Sequence, residues 1–556
     1  MAVDLERLVA AVRASCLERC HALLSLADRT PYSPNYGCFD RAFWQYKIKD
    51  FPSGMSQEAL YPLALALQSG LFPGLTLESR REMQELLNAA ALLSLRQQHR
   101  NGSIDDYFPF EQAAGATAFS LFAILAALEL GALHLPEHAD VRIRRRLHWL
   151  ASHCESGRLS NHEALISLTL AMAGSYFTDQ GWLDQAACRC QRLLGWRSSE
   201  GWFEEYGGFD VGYETLTFSC LFELSRRLPL MTERLAGVLS AQAAAILTAV
   251  EPDGCLGGEL FSRGTWNCFS HGLLEYALDQ GGDLLGDVLR ILSSRFVDAP
   301  IVVRDDYVIQ HHLWSDLRAL ALLSSFAEQS SGVVLSAASS AGSGTSLGVA
   351  LERSLPEAGH FWIRHGALTT HVSVRLGGAF RLYRHGSFLV QETQNAVRLT
   401  GGRARAWVAH AQTPSLRWMW ESPTMLVVEG SLTAYQAQTM TTVKLVVLRL
   451  LMACGGRFWP DGIRRLMQKM LINARSDISR TFRRCFHFSE EALIVIDAYR
   501  LPGREVLGAD ICPTGFSSFR HVVMSRMFHP YALLQQAPSR CRVHRSAGAL
   551  EVEREW

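Results

Sequence analysis

The chain has 556 residues, 48% of them hydrophobic and 19% charged, and its 54 Lys and Arg balance 54 Asp and Glu. That length calls for more than one domain with large buried cores, and the composition excludes global disorder. Zero net charge gives no overall attraction to a polyanion, and no helix-turn-helix or aromatic-basic RNA motif accompanies the local Arg clusters, so no nucleic-acid partner is expected.

The opening stretch, MAVDLERLVAAVRASCLERCHALLSL, spaces acids and bases at helical intervals and does not read as a signal peptide. The 13 cysteines are scattered without a CxxC pair, as in a reduced protein, so a cytoplasmic location is expected, or a periplasmic one if a leader precedes this sequence. No apolar run is long enough to span a bilayer. The next segment, NYGCFDRAFWQYKIKDFPSGMSQ, is dense in aromatic and charged residues. Trp44 and Arg41 are candidates for contact with a sugar ring, and packing of an N-terminal helix is the alternative reading.

From residue 1 to 328 the apolar period is helical, and many of the helices are apolar nearly all round, as an inner ring packed on both sides requires. The period predicts an (α/α) toroid, with a flat helical solenoid as competitor. A glycine-centred loop recurs about every fifty residues, at Gly102, Gly157, Gly201 and Gly254, so the repeat is a helical hairpin whose loops share one end. These loops deliver Glu111, then Asn161 and His162, then Glu205, Tyr206 and Tyr213, then Arg263 with His271 beyond it. Asn161 reads as a helix N-cap or as a free amide. His162, in a first helical turn, faces the positive end of the helix dipole, which favours a neutral ring able to act as a base. Tyr206 or Tyr213 offers a phenolic proton, and Arg263 offers a fork for a carboxylate unless Glu259 neutralises it.

Residues 329–347 are rich in Ser, Gly and Ala and read as a linker. After them, from 348 to 556, come short β-favouring runs between turns, including GHFWIRHG, AFRLYRHG, TMLVVEGSL, TVKLVVLRLL and RHVVMSRMF, which predict an antiparallel sandwich. His360, His365, His371 and His385 fall among these runs, and alternation can turn some of them toward the helical half. None sits in an HxH or HExxH pattern, so no catalytic metal is expected, and a structural metal in the β half is left open.

With those residues in place, the chain resembles the heparinase II/III-like polysaccharide lyases, in which an incomplete (α/α) toroid precedes an antiparallel β-sandwich. Asn161, His162 and Tyr213 match that family's Asn-His pair and its Tyr in a glycine-rich loop, and Arg263 matches a basic residue one repeat later more loosely. In the β half, HGSF at His385 to Phe388 is a partial match to the family's His/Asp-rich strand. The resemblance, closest to members encoded among bacterial surface-polysaccharide genes, implies β-elimination on a uronic-acid polymer. It implies Asn161 and Arg263 as donors to the substrate carboxylate, His162 or Tyr213 as base, and Tyr213 or Tyr206 as acid. Glu111, Glu205, His271, Trp44, Arg41 and His385 are expected to contact an acidic poly- or oligosaccharide, with no cofactor and with the oligomeric state open. A glycoside hydrolase using Glu111, Glu205 or Asp210, and a noncatalytic carbohydrate-binding or assembly protein, are the alternatives.

Overall fold

The computed structural model describes residues 3–155, 157–329, 348–399, 405–409, 415–435, 441–463, 476–511, 527–546 and 548–556. The linker expected at 329–347 and the β run RHVVMSRMF fall almost wholly outside the described residues.

Six helices form an inner ring: Leu60–Gln68, Ala114–Glu129, Ser160–Phe177, Val211–Arg227, Ser270–Gln280 and Leu313–Gln329. Each packs on the next, and the last returns to the first. This is the (α/α) toroid predicted from the apolar period. Ala114–Glu129 shows why such sequences lie inside: all but its last two residues are buried, so no polar stripe is left over for solvent. Outer helices such as His138–Ser152 keep one polar face and reach inward selectively. Arg146 is wholly buried, and its guanidinium donates to the Ser94 carbonyl at 2.8 Å and to Ser120 Oγ at 3.0 Å.

All four repeating glycines have positive φ, between 83° and 107°. At Gly102 a Cβ would lie 2.5 Å from the Arg145 carbonyl oxygen, and at Gly201 2.7 Å from that of Ala241. At Gly102, Gly201 and Gly254 the repeat therefore marks tight turns that lay the hairpin loop on the following outer helix, whereas at Gly157 it marks the positive φ alone.

In the β half, strands Val349–Leu355 through Ser387–Glu392 form a sequential five-stranded antiparallel meander. A second antiparallel sheet, nine-stranded among the described residues, has Met425–Tyr435, Ser476–Phe488 and Leu493–Arg500 adjacent to one another. The two sheets share one core, in which Phe380 meets Phe486 edge to face at 5.7 Å. The run TVKLVVLRLL, predicted as a strand, is instead the helix Thr442–Cys454. Its Thr441 side chain caps the first turn by accepting from the Lys444 N–H, and a short apolar run without an alternating polar face carries no preference for strand.

Strand alternation divides the five-stranded sheet. Phe361, Val372 and Phe380 point into the sandwich, while Trp362, His371 and Arg381 meet the toroid. There the buried Glu251 carboxylate accepts from His371 Nδ1 at 2.7 Å, Arg381 Nη1 at 2.8 Å and Trp362 Nε1 at 3.1 Å. Burial opposes ionisation of Glu251, but His371 and Arg381 overcome it and hold the carboxyl down to about 2.

Candidate functional site

The loops after the outer helices meet at one end of the ring. Leu159 bridges Glu205, the Tyr206 N–H donates to the Arg158 carbonyl at 3.3 Å, and the Ser262 N–H donates to the Phe209 carbonyl at 3.0 Å. Three successive loops are thus stitched edge to edge, which brings side chains distant in sequence together.

Arg263 lies at the centre. Its Nη1 donates to Glu205 Oε1 at 2.9 Å, and its guanidinium carbon lies 4.3 Å from the Tyr206 ring centroid and 4.8 Å from that of Tyr213. The Arg263 backbone N–H donates to Asp210, whose carboxylate also caps the helix of Tyr213. Arg263 pairs with Glu205 and not with Glu259, whose closest charged group is Arg381 at 3.9 Å. Burial would weaken the guanidinium, but Tyr213, Glu205 and Tyr206 raise its pKa further above the ordinary value. Its Nε is buried without a hydrogen-bond acceptor among the described residues. Tyr206 has a φ of 54°, a strained conformation for a non-glycine residue, which keeps its ring on the guanidinium.

Tyr213 is 6% exposed. Burial raises its phenol above the ordinary value; Arg263 pulls it down while Glu205 and Asp210 push it up, leaving the protonated form favoured. Asp210 itself is pushed up to about 6 by burial, against the hydrogen bonds it accepts from two backbone N–H groups.

Asn161 and His162 open the helix Ser160–Phe177. Asn161 does not cap it: its side-chain Oδ1 and Nδ2 are both fully buried with no partner among the described residues. His162 Nδ1 lies 2.7 Å from Glu155 Oε2. Burial lowers the imidazole pKa, but Glu155 more than reverses this, so the ring sits above its ordinary value. The helix-dipole expectation of a neutral His162 is therefore overridden by a nearby carboxylate that the dipole reasoning left out. Gly115 makes room for the ring, since a Cβ there would lie 2.6 Å from His162 Cε1. Gly115→Ala is expected to displace the imidazole and lower any turnover that uses it by about a hundredfold, measured as kcat with the melting temperature as control.

The other proposed residues lie elsewhere or are already engaged. Glu111 accepts from the Asp106 and Tyr107 N–H groups at 3.2 and 2.7 Å and so fixes its own loop. His271 is buried in the ring wall, with Nδ1 2.9 Å from Ser315 Oγ and Nε2 3.3 Å from Glu223. Trp44 donates to the Leu26 carbonyl, fastening the N-terminal helix, and Arg41 pairs with Asp306. His385 is exposed at the tip of a β-hairpin with φ of 50°. Two further groups belong to the site region but lack a sequence signal of the glycine-loop kind. Glu155 is one. The other is His311, whose ring lies 6.2 Å from Tyr213 and 4.7 Å from Phe119, with Nδ1 3.3 Å from Glu58. Among the described residues no group of three or more His, Cys, Asp or Glu is placed to hold a metal ion.

No family profile and no curated protein matches the sequence. Solved structures do match. A Paenibacillus xanthan lyase aligns over 89% of this chain and 46% of its own length, with 11% identity and a TM-score of 0.51. The likeness is one of fold, an (α/α) toroid followed by antiparallel β-sheets. A Streptomyces coelicolor A3 chondroitin AC lyase aligns over 88% of this chain and 66% of its own, at 10% identity and a TM-score of 0.49. For heparinase III the corresponding figures are 97%, 82%, 10% and 0.47. This chain thus spans about half of the xanthan lyase, and at such identities the likeness extends to architecture alone.

Proposed function

We propose that the chain is a polysaccharide lyase that cleaves an acidic, uronic-acid-containing saccharide by β-elimination, with a bacterial surface polysaccharide as the substrate class. The observation that carries this reading is the meeting of Arg263, Tyr213, Tyr206 and Glu205 at the ring end where the loop bearing His162 and its Glu155 partner is joined to theirs. Removal of the proton at carbon 5 of a uronate requires its carboxylate charge to be met by aimed donors. The unpartnered Asn161 amide and the spare Arg263 Nε are suited to that role. His162, oriented through Nδ1 by Glu155, takes the proton. As the bond from carbon 4 to the glycosidic oxygen breaks and the double bond forms, the Tyr213 phenol protonates the departing oxygen.

The carboxylates a hydrolase would use are otherwise employed: Glu111 holds backbone N–H groups, Asp210 caps a helix and Glu205 pairs with Arg263. Incubation with alginate, hyaluronan, heparinoids and acidic bacterial exopolysaccharides tests the reading. Growth of the ultraviolet absorbance of an unsaturated uronate is expected; saturated products would identify a hydrolase, and no cleavage of any acidic polymer would refute both.

The pH profile offers a second check. A base must be neutral, so kcat/KM should rise with pH through the raised pKa of His162. Glu155→Gln removes the group that raises it, and the acidic limb should move to lower pH. An unmoved limb would exclude His162 as the base.

A further inference from the structure

Three of the four glycine loops carry a group to the proposed reacting centre: His162, Tyr213 and Arg263. The first, Gly102 to Gln112, carries none, yet it opens at the same end of the ring and leads into the helix Ala114–Glu129, whose Gly115 and Phe119 lie against His162. Its polar groups fix its own shape. Asp105 accepts from the Phe110 and Gln112 N–H groups at 2.7 and 3.0 Å, Glu111 accepts from those of Asp106 and Tyr107, and Asp106 accepts from Ser53 Oγ. Phe110 and Gln112 both have positive φ, 61° and 53°, which non-glycine residues keep only where the surroundings hold them there. From outside, Phe108 packs with Met452 and Ile463 of the β half, and the Gln112 side chain donates to the Arg457 carbonyl at 2.9 Å.

All of this bracing presents one ring. Tyr107 is the single exposed residue from Gly102 to Gln112, 74% exposed between a buried Asp106 and a buried Phe108. Its phenol is nevertheless raised above the ordinary value, by burial first and then by Asp106, Tyr213 and Glu111, with Arg263 opposing. An open ring face with protein around the hydroxyl describes a side chain standing in a cleft, on the side where Tyr213 and Arg263 lie. Single exposed aromatic residues are ordinary on a protein surface. One fixed on an over-determined loop at the mouth of a candidate saccharide site is placed for contact.

We propose that the Tyr107 ring is a stacking platform for the sugar next to the uronate that is cleaved, so that the protein recognises a chain and not a single acidic sugar. A pyranose has a face of C–H groups that lies flat on an aromatic ring, and the phenol at the ring's edge is free to meet a sugar hydroxyl. Tyr has few torsions to fix, and here the loop has already fixed the backbone, so little freedom is lost on binding. The rings that stack on Arg263 are those of Tyr206 and Tyr213, which leaves Tyr107 outside the reacting centre, at the neighbouring sugar. The nature of the ligand rests on the lyase reading; the stacking itself does not.

Titration calorimetry with four-sugar fragments of alginate, hyaluronan, heparin and acidic bacterial exopolysaccharide tests the platform in a Tyr213→Phe background, where turnover is slow enough for binding to be read. Tyr107→Ala should weaken fragment binding about tenfold, and Tyr107→Phe, which keeps the ring, by no more than about twofold. With Tyr213 intact, Tyr107→Ala should raise KM by about the same tenfold and leave kcat unchanged, the mark of binding lost equally from ground and transition states. The melting temperature should not move, because the side chain is exposed. Binding of no fragment, affinity in Tyr107→Ala equal to the background, an equal loss in Tyr107→Phe, or a fall in kcat with KM unchanged would each overturn the proposal. The two readings fail separately. Fragments held through Tyr107 but never cleaved would refute the lyase and keep the platform, and unsaturated products with unaltered Tyr107→Ala kinetics would do the reverse.

Discussion

Tyr213→Phe is expected to lower kcat by 10²- to about 10⁴-fold while leaving KM within a small factor, the usual size of effect for loss of a positioned general acid. The phenol is buried beside Arg263, and its raised pKa keeps the proton available at neutral pH. Phe preserves the ring and hence the stacking on the guanidinium, so thermal melting should change little. A rise in KM with kcat retained would assign Tyr213 to binding, and unchanged kinetics would remove it from the chemistry. Arg263 is the natural companion experiment, because Lys keeps the charge but cannot serve Glu205 and a substrate carboxylate together as a planar fork does.

The second large effect concerns stability. Glu251→Ala removes the acceptor shared by His371, Arg381 and Trp362 and leaves a buried guanidinium without its closest carboxylate. The cost should be about 3–5 kcal/mol, the range for breaking a buried ion pair by deleting one partner. It should be seen as an earlier first transition in calorimetry. The folded pKa of Glu251 is depressed, so its stabilisation is complete above the ordinary value of 4.5 and is lost as pH falls toward about 2. Wild type should therefore lose its advantage over the variant across that acidic window, and a difference that persisted unchanged to pH 2 would remove the carboxylate as its source.

The ring was legible because an inner helix buried on all sides needs an unbroken apolar sequence, as in Ala114–Glu129, and because Gly102, Gly157, Gly201 and Gly254 each mark a turn with positive φ. The same glycines pointed to the loops that hold Arg263, Tyr213 and His162. What escaped was partnership. Glu155 lies seven residues before His162, a spacing with no meaning until the loop folds back. His311 enters by the stretch before the last inner helix, where no glycine repeat announces it. Trp44 and Arg41 have the contacts expected of the alternative reading, since aromatic and charged density suits the fastening of a terminal helix as well as a sugar. The helix Thr442–Cys454 was misread because β-branched content in a short apolar run does not separate a strand from a helix.

The hydrogen bonds converging on Glu251 also bear on how this chain can be cut. Its anionic side chain belongs to the toroid but takes its neutralising partners from the β-sandwich, and Glu200 likewise receives the Glu357 and Ala358 N–H groups across the same boundary. A fragment ending near residue 329 would bare Glu251 and the ring surface around it to water at once. Expression of either half alone should yield aggregation-prone material, and the practical unit for crystallography or engineering is the undivided polypeptide.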